Sequence, residues 1–411
     1  MRMYSQTTPR SRRVVRQLLR NATLIDVRGA RAIEGGALLI EDDRIGAIGR
    51  ADDFGEPVGA EMVADLGGMF VVPGFIDPHV HLGLSAKPDA LEQVYEDMDQ
   101  ARRNAVALLA SGVTTAADCG GPGLLTLQLK LALERGDAVG PRLLVSLNAV
   151  TTPGGHGLAF GVPAHGVEAA RIVTRALLER GADFIKVMAS GGGTRGATPA
   201  TEAQFSLAEL EAIVGEAHAA GRRVVAHTRA TGAIRRAVRA GVDRLEHVTW
   251  EVVGGVQFDA ALATEMARRA IWVDPTLAAG VRAESTEQVA SERRGELRRQ
   301  FALRYPNYRR MAQESGSRLL SGSDAGTPLV GFGDFALGPE LLTRIVDYSP
   351  AEALASATWW GAQALCVEDT RGTLESGKLA DLVVLRADPL QDPSALRSVQ
   401  HVILGGRWQP A

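Results

Sequence analysis

Two histidines separated by one valine, His79 and His81, follow an apolar run in the stretch PGFIDPHVHLG. Side chains two apart along a strand project to the same face, so a strand here presents both imidazoles at its carboxyl end. Neutral imidazole is a common ligand of divalent metals, and two on one face are a ready pair. Alone, the pair would read equally well as two surface histidines on an edge strand, so the other donors decide. Lys186 lies inside FIKVM, His227 ends VVAH, His247 follows Leu245 and Glu246, and Asp324 sits in GSDAG. A lysine within an apolar run is costly to bury as an ammonium and then has no lone pair for a metal. Unmodified, it would snorkel to a rim or pair with a carboxylate. Converted to a negatively charged derivative, it would bridge two divalent ions.

The elements that must position these residues are written in the apolar pattern. Short apolar runs at 70–82, 112–120, 141–150, 182–190, 222–228, 244–250, 271–277 and 318–326 read as strands buried on both faces, as in parallel sheets. Amphipathic segments lie between them. In SLAELEAIVGEAHAAG, Ser206 and Glu209 form a capping box, and Leu207, Leu210, Ile213, Val214 and Ala217 make one stripe. Gly221 stands where the helix should stop. TGAIRRAVRAG repeats the pattern with Ile234 and Val238 inward and Gly241 at its end. Eight strand–helix units imply an α/β fold, a closed (β/α)8 TIM barrel over residues 69–369. Residues 14–68 and 370–411 read instead as short strands and turns that pair into one small composite β-sandwich. The helical stretch 350–366 goes with the barrel wall, and Trp359 and Trp360 with the packing of wall against sandwich. Reactive groups in such a barrel stand at the carboxyl ends of strands. The first, fourth, fifth, sixth and eighth strands then aim His79, His81, Lys186, His227, His247 and Asp324 at one mouth.

Composition narrows the partners. A chain of 411 residues, 45% hydrophobic and 23% charged, has the profile of a soluble globular protein with a large core. A formal net charge of −3 argues against nucleic acid or an anionic membrane as a general partner. Two cysteines, Cys119 and Cys366, give no disulfide framework and point to a reducing compartment, the cytoplasm. The basic start resembles a twin-arginine export signal in SRRVVR, but no apolar stretch follows it. It reads as a lead-in to the first strand. No apolar run is long enough to span a membrane.

The set PHVH, FIKVM, VVAHT, LEHVT and GSDAG, in this order, resembles the amidohydrolase superfamily, and GTLESGKLADLVVLRADPL is similar to its composite sandwich. GVTTAADCGGPG, the TPGGHG loop, ADFIKVMASGG and ELEAIVGEAHAAGRRVVAH resemble the prolidase-like branch of Xaa-Pro and Xaa-Arg/Lys dipeptidases and related amide hydrolases. Some members of that branch cleave amides of aromatic amino acids such as ochratoxin. The resemblance covers nearly the whole chain. It implies two divalent ions, zinc by default for a histidine-rich site. His79, His81 and Asp324 would hold the more buried ion and His227 and His247 the second, with N-carboxylated Lys186 bridging both. It further implies hydrolysis of a peptide-like amide, a dipeptide or an N-acyl amino acid, by a metal-bridging hydroxide. Asp324 would carry the proton to the departing amine.

His156, among the glycines of TPGGHG, is by the same resemblance a substrate contact or carbonyl polariser; on its own it would be a solvated loop histidine. Arg229, two residues beyond His227, points at the same mouth and could fork a substrate carboxylate or sit in a rim salt bridge. Arg195, in SGGGTRGATPATEAQF, is a second candidate carboxylate anchor. Relatives usually read His-Ala and then a small or aromatic residue, and here the chain departs with His227-Thr228-Arg229. His218 reads as solvated, and His165 and His401 have no evident partner. A mononuclear cyclic-amide hydrolase or deaminase, imidazolonepropionase-like, is the second enzyme reading, opposed by Lys186. A catalytically inactive scaffold is the third, opposed by the six filled ligand positions. The expected partner is a small-molecule amide substrate, with no nucleic acid or membrane, and the expected assembly is a homo-oligomer.

Overall fold

The computed structural model describes residues 14–54, 62–91, 94, 96–287 and 289–410. The basic lead-in before residue 14 lies outside the described residues. Strands Arg16–Asp26, Arg31–Glu41 and Arg44–Arg50 form an antiparallel meander. Phe70–Pro73 runs parallel to the first of them, with Phe70 opposite Thr23, and antiparallel to Leu382–Leu385, with Val72 opposite Val383. Val399–Leu404, Arg407–Trp408 and Met62–Asp65, the last parallel to Arg16–Asp26, complete an eight-stranded sheet among the described residues. Both ends of the chain therefore share one sheet. What joins them is burial of Leu19, Leu24, Leu38, Ile40, Leu382 and Ile403 in a common core, each contributing roughly 1.5–3 kcal/mol. Arg142 in the barrel and Asp381 beside the sheet pair at 2.8 Å across the seam.

The run 70–82, read as one strand, is two. Phe70–Pro73 belongs to the terminal sheet and Phe75–Val80 begins the barrel. The chain switches sheets at Gly74, where an added Cβ would collide with the side chain of Thr114. Only glycine allows that approach.

From Phe75–Val80 the parallel order continues through Val113–Asp118 and Arg142–Val145. Asp183 N–H donates to Val145 O at 2.8 Å, and Val187 lies opposite Val150 of Ala149–Thr151. These contacts lead to Ile185–Met188, then Val224–Ala230, Arg244–Val252 and Trp272–Asp274. The eighth position, read as a strand over 318–326, is reduced to bridges: Val273 with Leu319 and Val80 with Ala325. Asp324 N–H donates to His79 O at 2.8 Å, and the ring closes. The ladder fails there because Asp324 and Gly326 take left-handed backbone, φ +60° and +98°.

Helix Leu207–Ala219 carries the Ser206–Glu209 capping box, buries Leu210, Ile213, Val214 and Ala217, and stops at left-handed Gly221. Thr231–Ala240 buries Ile234 and Val238 and stops at Gly241. Helix Trp359–Ala364 packs on the first barrel strand, with Gly361 against Ile76. The Arg28 guanidinium lies 5.3 Å from the Trp359 ring, so this side chain does sit between wall and sheet. After the seventh strand, helices Leu277–Ser285 and Ser291–Gln313 supply one wall of the cavity at the mouth. Among the described residues no helix is long and apolar enough to cross a membrane.

Candidate active site

The strand tips bring the candidate donors together, and each imidazole has one nitrogen already engaged. His79 Nδ1 lies 2.9 Å from Asp274 Oδ2, and His81 Nδ1 lies 2.6 Å from Gly120 O. Against a carboxylate or carbonyl that nitrogen must carry the proton, which leaves Nε2 with its lone pair. His247 Nδ1 meets Thr276 Oγ1 at 2.7 Å, again freeing Nε2. His227 is the reverse: Nε2 faces Gly191 O at 3.1 Å, and Nδ1 is left over. Burial pushes His79, His227 and His247 well below the ordinary imidazole range, reinforced by Lys186 for His79 and His247 and by His247 for His227. Three neutral rings at the site are thus in the form a metal accepts.

Asp324 Oδ1 lies 3.3 Å from both His79 Nε2 and His81 Nε2. The three donor atoms fall within 4.8 Å of one another, a spacing that could hold an ion. Ring centroids of His227 and His247 are 4.4 Å apart, and those of His79 and His247 5.7 Å. Lys186 is fully buried among them, with Nζ 3.5 Å from His79 Nε2, and burial lowers its pKa. Its ammonium pairs with Glu246.

Glu246, whose position in LEHVT carries no signal of a role, is fully buried at the centre, 3.5 Å from His79 Nε2. Its other oxygen accepts from Cys119 Sγ at 3.3 Å and faces Arg244 at 3.5 Å. Alternation should send adjacent Glu246 and His247 to opposite faces. Both reach the site because His247 and Val248 are left-handed, φ +65° and +48°. Two more carboxyls support the donors. Asp77 accepts from the His79 and Ser323 backbone N–H groups, both at 3.1 Å, and from the Ser323 hydroxyl at 2.5 Å. Burial raises Asp77 and Asp274 to about 7. The available signal for these three was an acidic residue inside an otherwise apolar run.

A cavity of about 700 Å³ opens over the donors. Leu91, Phe160, Met188, Leu297 and Phe301 give it apolar walls, and Arg195, Arg229, Arg293 and Arg304 line it as well. His156 stands in it, its ring 4.5 Å from that of His227. His156 Nδ1 accepts from the Thr194 backbone N–H at 3.4 Å and meets Thr194 Oγ1 at 2.6 Å, so Nε2 carries the proton. Burial, then the Arg229 charge, pushes its pKa down to about 3. Arg229 is tied to Glu251 at 2.8 Å and stays partly exposed. Outside the site, exposed His218 hydrogen-bonds Asp243 at 2.8 Å, and His401 finds a partner in the Trp408 ring at 5.1 Å.

The chain is similar to several known hydrolases along most of its length. Ochratoxinase of Aspergillus niger is 26% identical over 91% of this chain and 83% of its own length. Imidazolonepropionase of Symbiobacterium thermophilum is 27% identical over 87% of this chain and 85% of its own. A Xaa-Pro dipeptidase solved with methionine in its active site superposes with a TM-score of 0.85, at 26% identity over 96% of this chain and 100% of that one. These neighbours have the barrel-plus-sandwich architecture, and such relatives support hydrolysis of amide or peptide carbon–nitrogen bonds. Residues 70–409 match the family model described as the amidohydrolase family, and the chain belongs to that family of metal-dependent hydrolases.

Proposed function

We propose that the chain is a binuclear hydrolase of a peptide-like amide, a dipeptide or an N-acyl amino acid. The observation that carries this is four imidazoles, each with one nitrogen engaged and the other available, grouped around Lys186 and Asp324. His79, His81 and Asp324, whose donor atoms lie within 4.8 Å of one another, would hold one divalent ion, His227 and His247 a second, and N-carboxylated Lys186 would stand between them. Zinc suits such ligands. When bound, the ions would polarise a carbonyl and bring the pKa of water to about 7.

The chain's own groups do the rest. Asp324, on the cavity floor with its side chain 12% exposed, accepts the proton of the attacking water and returns it to the departing amine. His156 offers Nε2–H to the substrate carbonyl. Arg229 and Arg195 supply guanidinium forks for a substrate carboxylate. The test is release of amine from dipeptides and N-acyl amino acids by the metal-loaded protein. No turnover on either class would remove the reading.

One observation favours the second reading, a mononuclear cyclic-amide hydrolase or deaminase. The chain's similarity to imidazolonepropionase of Symbiobacterium thermophilum is what favours it. Metal content and a carbon-13 carbamate signal after exposure to labelled bicarbonate separate the two. Two ions and a carbamate support the binuclear site; one ion and an unmodified lysine support the other.

A further inference from the structure

The wall above the donors holds a charge arrangement in which Arg229 is only one member. Glu251, at the end of the sixth barrel strand, is buried between two guanidiniums. Arg229 reaches it through Nε at 2.9 Å and Nη2 at 2.8 Å, and Arg304 through Nη2 at 3.0 Å. The Thr249 hydroxyl donates to the same oxygen at 2.7 Å. Two cations share one anion in a wall largely removed from water.

Arg304 comes from helix Ser291–Gln313, is 8% exposed, and lines the cavity. Its Nε–H is buried with no hydrogen-bond partner among the described residues. Neighbouring groups are committed elsewhere. The Tyr308 hydroxyl donates to His247 O at 2.7 Å, and the Tyr305 hydroxyl to Glu284 at 3.2 Å. Burial and the Arg229 charge both pull the Arg304 pKa down, the same imbalance seen from the guanidinium's side. Glu251 gives one negative charge to two guanidiniums, so a second carboxylate in the cavity would balance the pair. Phe301 stands one turn before Arg304, its ring 5.1 Å from that guanidinium and 6.0 Å from Tyr305.

We infer that Arg304, together with Arg229, forms a carboxylate subsite that selects amides carrying a free carboxylate beside an aromatic or large apolar side chain. Glu251 sets the two guanidiniums in position without touching substrate, and Phe301 takes the side chain. The inference rests on the amide-hydrolase reading above and adds the residue that decides which amides are taken.

The test compares acetate release from N-acetyl-L-phenylalanine and from its carboxamide, in wild type, Arg304→Gln and Arg304→Lys. In wild type the carboxylate is preferred. In Arg304→Gln the ratio of the two kcat/KM values falls about 30-fold or more, and Arg304→Lys retains part of it. A ratio unchanged in Arg304→Gln overturns the subsite, whether both rates fall together or neither does. Calorimetric binding of 3-phenylpropionate against 3-phenylpropionamide, with and without metal, reads the same subsite apart from turnover. If wild type cleaves neither acetyl compound but still binds the acid, and Arg304→Gln loses that binding at least about 10-fold, the subsite stands while the hydrolase reading fails. Equal binding of acid and amide by wild type overturns the subsite.

Discussion

The floor of the cavity and its wall are built by different means. The floor is made of strand tips. His79, His81, His227, His247 and Asp324 project from neighbouring strands, and their free atoms are set by partners on adjacent strands and loops, such as Asp274 and Gly120. The wall comes largely from the helices after the seventh strand, and its Arg304 meets Glu251 together with Arg229 from the fifth strand. Strand tips are fixed by the ladder of the barrel, which suits groups that must hold reacting atoms. A helix laid over the mouth can change its residues without disturbing that ladder, which suits the choice of substrate. Chemistry on the floor and selection on the wall is the division we propose.

Substitutions can break or sharpen the contrast. Asp324→Asn should lower kcat by about 10³-fold or more, with KM little changed, when metal content is matched to wild type. Full turnover in that variant would remove the proton-carrying role from the floor. Asp274→Ala leaves His79 Nδ1 without its carboxylate. It should weaken metal binding about 10–100-fold, read by competition with a chelator, and unchanged affinity would show that the engaged nitrogen is incidental. On the wall, Phe301→Ala should raise KM for aromatic substrates about 10-fold while leaving kcat and metal content near wild type. A fall in kcat instead would merge the two regions.

The smallest effect is expected outside both. Glu216 joins helix Leu207–Ala219 to Arg175 and Arg171 of helix Val167–Glu179, and those guanidiniums hold its carboxyl down to about 2. A depressed carboxyl adds stability above its unfolded pKa and loses it as pH falls through the folded value. Glu216→Gln should therefore lower Tm by about a degree at pH 7, because both partner guanidiniums are exposed. The gap should narrow as pH drops from about 4.5 towards 2. A gap that widened on acidification would reverse the sign of this linkage.

The same division explains what could be read from the sequence. The floor's donors stand at the ends of apolar runs whose period of two places them on one face, so His79 and His81 announce themselves. Glu246, Asp77 and Asp274 lie inside those runs, where a lone acid gives little notice of its neighbours. Glu246 was hidden further by left-handed His247, which puts two adjacent residues on one side. The wall left almost no pattern. Helix Ser291–Gln313 buries Arg304, Asn307, Tyr308 and Met311, so much of its inward face is polar and an apolar stripe cannot mark it. The switch of sheets at Gly74 and the bridged eighth position depend on close backbone approach and on left-handed residues. Neither alters the apolar count of the runs they interrupt.

The central claim is that six side chains on the floor hold two divalent ions that make amide hydrolysis possible. Stepwise addition of zinc to chelator-treated protein, with amine release measured at each ratio, tests it most directly. The expected curve rises with bound metal and levels at two ions per chain. Full turnover with no metal, or a plateau at one ion per chain, would contradict the account.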